Sequence, residues 1–218
     1  MEKFKTILEK NTTAEIIEKK SRFIANLFYV ETPQEAENKI KQIKKKYYDA
    51  KHNCFAYITL NENEIQKKCS DDGEPSGTAG APMLEILEKQ SIYNVVVIVT
   101  RYFGGTLLGT GGLIRAYTKS TQEGIKESMV IEKCLGVMFS LTCDYTTSGK
   151  IQYLTATEHI PVLDTVYTDN VTFEMIVPVE EVGSVEKKFM EASMGKAVLE
   201  KGEETYYAEI DGKISYDL

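Results

Sequence analysis

Apolar and polar residues follow two distinct rhythms along this chain, and the elements can be read from where each rhythm starts and stops. Residues 14–30, AEIIEKKSRFIANLFYV, predict two strands around a turn near Lys20–Ser21. Residues 32–50 switch to the helical period, with Ala36, Ile40, Ile43 and Tyr47 as the apolar stripe. Thr32 is placed to cap that helix, Pro33 sits at its first position, and Glu35 follows at its third. Lys44, Lys45 and Lys46 at its end read as a solvated face that complements the helix dipole. Residues 53–60 predict a strand, Asn61–Asn63 a turn, and residues 64–70 the hairpin partner.

The loop DDGEPSGTAGAP (71–82) and a short helix over 82–90 come next. YNVVVIVTRYF (93–103) is nearly continuous and β-branched, as expected of a strand covered on both faces. The glycine stretch that follows opens a helix running to about Ser128. On it, Ala116, Ser120 and Gly124 recur every four residues, so the helix backbone is expected to lie close against the sheet.

The pattern restarts near Met129–Val130. A strand over 133–144, a helix over 146–159, a hairpin turning at Asp169–Asn170, a helix over 180–193 closed by Gly195, and a last strand or hairpin over 196–210 give the order β-α-β-β-α-β. That order is a ferredoxin-like unit. The fold class expected is therefore α+β in two domains, 1–130 and 131–218.

Charge supports the division. Residues 1–130 carry 19 Lys and Arg against 17 Asp and Glu, a net of +2, and residues 131–218 carry a net of −9. The whole chain stands at −7, which disfavours nonspecific polyanion binding by the molecule as a unit. No apolar run approaches the ~18 residues needed to cross a bilayer, and the charged start MEKFKTILEKN carries no signal-peptide core. Cys54, Cys69, Cys134 and Cys143 are scattered without a C-x-x-C pair. They read as buried structural thiols, and a cytoplasmic location without disulfides or zinc is expected.

The chemistry concentrates in two stretches. TRYFGGTLLGTGGLIRAY (100–117) carries Gly104, Gly105, Gly109, Gly111 and Gly112, whose spacing matches neither the P-loop nor the dinucleotide fingerprint. What remains is a glycine turn feeding a helix N-terminus, a generic anion site to which Thr106, Thr110 and Thr78 could add hydroxyls. Arg101 shares a face with Val97 and Val99 where the buried surface should run out, so it needs a carboxylate, a ligand or water. Asp71, Asp72 and Glu74 are the partners on offer. Either they clamp Arg101 internally, or the cluster faces a ligand. The same three carboxylates could hold Mg²⁺ beside a phosphorylated ligand. Arg115 is expected to face away from the core stripe. Ser76 or Cys54 beside His52 are the nucleophile candidates, without a G-x-S-x-G elbow, and His159 at a helix end reads as a capping or surface residue. No catalytic set, metal site or cofactor is expected.

KSRFIA (20–25), DDGEPSGTAGAPMLEIL (71–87) and VVVIVTRYFGGTLLGTGGLIRAY (95–117) together resemble the Impact/YigZ family. The resemblance is strong over 14–128 and weaker over 131–218. It implies a first domain similar to domain 2 of ribosomal protein S5 and a second similar to domain V of elongation factor G. Eukaryotic relatives regulate translation through protein contacts and carry an RWD domain that this chain lacks. The expected function is a non-catalytic binding or regulatory protein linked to translation, with RNA, the ribosome or a translation-associated protein as partner. The alternative is an enzyme acting on a phosphorylated or carboxylated small molecule with His52, Asp71, Asp72, Glu74 and Arg101. The candidate binding residues are those five with Ser76, Thr78, Gly104, Gly105, Thr110, Gly111, Gly112 and Arg115. Oligomeric state is left open.

Overall fold

The computed structural model describes residues 1–8, 11–61 and 64–216. The chain divides into two compact units, one of Phe4–Ile131 and one of Met1–Lys3 with Glu132–Leu218. The class is α+β, as the alternation of rhythms predicts.

In the Phe4–Ile131 unit, β1 (Lys3–Ile7) leads into β2 (Thr12–Glu18), β3 (Ser21–Tyr29), helix α1 (Pro33–Lys46), β4 (His52–Asn61) and β5 (Glu64–Ser70). Helix α2 (Gly80–Lys89), β6 (Val95–Tyr102) and helix α3 (Gly109–Glu127) follow. Five strands form one antiparallel sheet in the order β2-β3-β6-β4-β5. β6 lies at its centre and is buried on both faces. Val95, Val97 and Val99 pack under α2 and α3 with Phe23, Leu27, Met83 and Tyr117, while Val96 and Ile98 pack against α1 with Ile40, Ile43 and Phe55. This is why β6 reads as an unbroken apolar run rather than an alternating one.

Local signals set the helix ends. The Thr32 side chain accepts from the Glu35 N–H, and the Glu35 carboxylate accepts from the Glu31 N–H. Helix α1 stops at Lys46, four residues short of the expected end, and residues 47–50 turn instead. The expected small-residue stripe of α3 lies on the sheet. A Cβ at Gly124 would fall 2.3 Å from Leu27 Cδ1, so only glycine admits this approach. The structure adds β1, which the charged N-terminal sequence did not suggest; its Phe4 and Ile7 are buried. Of the expected turn at Asn61–Asn63, residues 62 and 63 lie outside the described residues.

In the second unit, β7 (Val130–Cys143), helix α4 (Tyr145–Thr157), β8 (Val162–Tyr167) and β9 (Val171–Pro178) are followed by a 3-10 turn (Val179–Glu181), helix α5 (Val182–Ala192), β10 (Val198–Ile210) and β11 (Lys213–Ser215). β7 begins at the boundary between the units. The sheet order is β11-β10-β7-β9-β8. The run β10-β7-β9-β8 is that of the ferredoxin-like unit, with Ile151 of α4 and Val185 and Phe189 of α5 covering Phe139, Leu141, Phe173 and Met175. All four cysteines are free thiols. Cys54 and Cys143 are buried as expected, while Cys69 and Cys134 are only half-buried.

Candidate functional site

The glycine stretch and the DDGEP loop meet at one end of the five-stranded sheet. The register brings Phe23 of β3 and His52 of β4 to either side of Arg101 on β6. Arg101 Nη1 donates to Glu74 Oε1 at 2.7 Å, with the two side chains 7% and 3% exposed. Tyr117 Oη of α3 donates to the same oxygen at 2.8 Å, and the Cys54 thiol approaches Tyr117 Oη at 3.3 Å. The Arg101 guanidinium sits 5.4 Å from the centroid of the Phe23 ring and 5.7 Å from that of Phe103. Its remaining donors are poorly served. Nη2 reaches Ser21 Oγ only at 3.5 Å, and Nε is buried with no partner among the described residues.

The other two carboxylates do different work. Asp71 accepts the N–H groups of Gly77, Ala79 and Gly80 at 2.8–2.9 Å. It thereby caps α2, whose N-cap residue Ala79 has no side chain able to do so. Burial raises the Asp71 carboxyl, but these three donors outweigh it and hold the group below the usual carboxylate range. Asp72 pairs with Lys44 Nζ at 2.6 Å and accepts the Asn53 N–H at 2.8 Å. The three carboxylates therefore point to three different partners, and among the described residues no group of carboxylates, histidines and cysteines is arranged to hold a metal ion. The Lys44 end of α1 is a clamp on the loop rather than only a solvated face.

His52 is half-buried, and its Nδ1 lies 3.0 Å from the Asp72 carbonyl oxygen, so Nδ1 carries the proton. Cys54 donates to the Asp71 carbonyl at 3.0 Å, and burial pushes its thiol up to about 12. As a candidate nucleophile it is neither ionised nor exposed. Thr78 is fully buried and donates to the Pro75 carbonyl at 2.7 Å, so its expected role as a ligand hydroxyl is not supported.

A cleft of about 460 Å³ opens between these loops, lined by Lys51, His52, Glu74, Pro75, Arg101, Phe103, Leu107, Leu108, Gly109, Thr110 and Leu113. Beside it, a second pocket of about 190 Å³ is lined by Glu18, Lys19, Leu108, Gly112, Arg115, Ala116 and Lys119. Leu108 belongs to both. Of the residues singled out from sequence, His52, Glu74, Arg101 and Thr110 line the cleft and Gly112 and Arg115 the second pocket. Ser76, Gly105 and Gly111 are exposed nearby, and Asp71, Asp72, Thr78 and Gly104 shape the loops. Sequence reasoning missed Lys51, Phe103 and Leu107 in the cleft and Lys19 and Lys119 beside it. The period of two along β6, which puts Phe103 on the side of Arg101, was the signal that could have found one of them.

A model of the Impact N-terminal domain matches residues 19–125. The IMPACT family member YvyE of Bacillus subtilis is 44% identical over 192 residues, which is 88% of each chain. This chain belongs to the Impact family. The family member YigZ of Escherichia coli is 31% identical over 182 residues, covering 83% of this chain and 89% of its own. A solved structure described only as that of a hypothetical protein aligns with a TM-score of 0.58 at 30% identity, covering 91% of this chain and 97% of that one. A domain of unknown function, DUF1949, matches residues 141–196. The match to the Impact N-terminal domain takes in every residue lining the cleft, so the site lies within the segment that defines the family.

Proposed function

We propose that this Impact-family chain is a non-catalytic binding protein that works in translation in the cytosol. Its Phe4–Ile131 unit would hold RNA, a ribosome or a translation-associated protein. The observation that carries the reading is the set of cations around the start of α3. Lys19, Arg115 and Lys119 gather at the second pocket and Lys51 at the cleft. No carboxylate among the described residues lies within ion-pair distance of any of them. Such a concentration on a chain of net charge −7 favours an anionic partner approached from one side. The family resemblance supports the link to translation. No helix among the described residues is long and apolar enough to cross a membrane.

A second reading, an enzyme acting on a phosphorylated or carboxylated small molecule, is favoured by the volume of the cleft, which falls in the range of small-molecule sites. It has less support from the side chains, because Glu74, Asp71, Asp72 and Cys54 are each engaged internally.

The test is a titration of the full chain against ribosomes and against RNA over a range of salt concentrations. The expected result is an affinity that falls steeply with salt, with a slope made shallower by Arg115→Gln and Lys119→Gln. An affinity that is absent or indifferent to salt would overturn the reading. A phosphometabolite that raises the melting temperature in the absence of RNA binding would favour the enzyme.

A further inference from the structure

We infer that the cleft in front of α3 binds a nucleotide, with its phosphate on the first turn of α3 and its base against Phe103. This deepens the reading of the Phe4–Ile131 unit as a partner-binding module and rests on it for the source of the nucleotide.

The helix end supplies the first part. The other long helices of this unit have their first N–H groups answered: Thr32 serves α1 and Asp71 serves α2. Helix α3 has 19 residues, no side-chain cap and no acidic residue in its first turn. The N–H groups of Gly109, Thr110 and Gly111 have no intrahelical acceptors by the geometry of a helix start, and all three residues are exposed. Arg115 folds back over this turn; its Nη1 lies 3.5 Å from where a Cβ of Gly111 would stand. A guanidinium held at the positive end of a helix is unfavourable without an anion between them.

Arg101 supplies the second and independent part. It lines the cleft, is more than nine-tenths buried, and carries a buried Nε with no acceptor among the described residues. Glu74 neutralises its charge without filling its donors. Its Nη2, served only by Ser21 Oγ at 3.5 Å, is the donor that leaves room for an oxygen-rich group at that wall.

The wall beside Arg101 is apolar and open. Phe103 is 56% exposed and Leu107 is 84% exposed, although both stand at the mouth of a cleft rather than on scattered surface. The guanidinium of Arg101 stands against the Phe103 ring and helps fix its orientation. A flat ring laid on Phe103 would cover the exposed aromatic surface, and a base is the flat ring that comes joined to a phosphate. The adjoining pocket, with Lys19, Arg115 and Lys119 beyond the Leu108 ridge, is placed to take the next phosphate of a strand. Glu18 is the one carboxylate there. The ligand chemistry is thus a nucleotide unit, and a single strand of RNA uses both cavities where a free nucleotide uses one.

The full chain, labelled with ¹⁵N, is titrated with uridine 5′-monophosphate, with a six-residue oligouridylate and with inorganic phosphate. Both nucleotide ligands should move the amide signals of Gly109, Thr110 and Gly111. Phe103→Ala should weaken nucleotide binding about 5- to 150-fold, and Phe103→Tyr should retain it. Tighter binding of the oligomer assigns the site to single-stranded RNA; equal affinity assigns it to a free nucleotide. The inference is overturned if neither nucleotide moves those amides, if Phe103→Ala binds as well as the unaltered chain, or if inorganic phosphate alone binds as tightly. RNA binding with steep salt dependence and motionless Gly109–Gly111 amides would remove this site and leave the proposed function standing. Mononucleotide binding at the cleft without any RNA affinity would do the reverse.

Discussion

Arg101 and Glu74 form an ion pair of 2.7 Å inside the first unit, and Tyr117 donates to the same carboxylate oxygen. The pair ties the DDGEP loop to the last residues of β6 and to α3, three segments distant in sequence. Two charges this deep stabilise only as a pair, because either one alone would stand unsolvated in the interior. Arg101→Met or Glu74→Leu alone should each lower stability by about 3–5 kcal/mol. The double variant should cost much less than the sum. Urea unfolding of the four chains closes the cycle, and additive losses would show that the two groups are not coupled.

Gly104 and Gly105 are adjacent and are required for different reasons. A Cβ at Gly104 would stand 2.0 Å from the Lys20 carbonyl carbon and 2.4 Å from the Ser21 nitrogen, both backbone atoms that have no room to yield. Gly105 has open space around it but a φ of +84°. Gly104→Ala should therefore displace the turn and break the Gly104 N–H to Ser21 Oγ bond of 3.2 Å, whereas Gly105→Ala should cost only about 1 kcal/mol of backbone strain. Thermal unfolding of the two variants ranks them, and a Gly104→Ala chain as stable as Gly105→Ala would refute the steric account.

Asp71 should make part of the loop's stability depend on acid. Its folded carboxyl titrates below the ordinary value of 3.8, since three N–H donors outweigh the effect of burial. The stabilisation is therefore present in full above that ordinary value and is lost as pH falls through the lower folded value. Hydrogen exchange at the Ala79 and Gly80 amides reads it directly. These amides should be protected at neutral pH, lose protection in acid, and be unprotected at both in Asp71→Ala. Protection unchanged by Asp71→Ala would assign those N–H groups another acceptor.

Cys54 should resist thiol reagents in the folded chain. Burial pushes its thiol up to about 12, so almost none is thiolate at neutral pH. Iodoacetamide treatment at pH 7.5 followed by peptide mass spectrometry should modify Cys69 and Cys134, which are half-buried, well before Cys54. Early labelling of Cys54 would mean that the Asp71–Cys54–Tyr117 contacts open readily.

The elements of this protein are written locally. The unbroken apolar run of β6, the four-residue spacing of Ala116, Ser120 and Gly124, and the Thr32-Pro33-Glu35 start of α1 each depend on neighbours a few residues away. A single stretch of sequence is enough to read them. β1 escaped because its charged residues hide a short alternation in which Phe4 and Thr6 are buried between the exposed Lys3 and Lys5.

The candidate site is legible only in part. Sequence pattern named Arg101 as a cation in need of a partner and offered Asp71, Asp72 and Glu74 without distinguishing them. Only the folded chain decides among the three. Asp71 is drawn to the start of α2, Asp72 to Lys44 at the end of α1, and Glu74 alone is turned inward to Arg101 and Tyr117. The same holds for Lys51 and Leu107 in the cleft and for Lys19 and Lys119 in the pocket beside it, which only the fold brings to these walls. Periodicity and capping are short-range properties carried by the chain itself, so the sequence determined this protein's elements, its α+β class and its family. Which carboxylate neutralises which cation, and which donors are left for a ligand, depends on distances across the sheet. Those exist only once packing has brought the segments together.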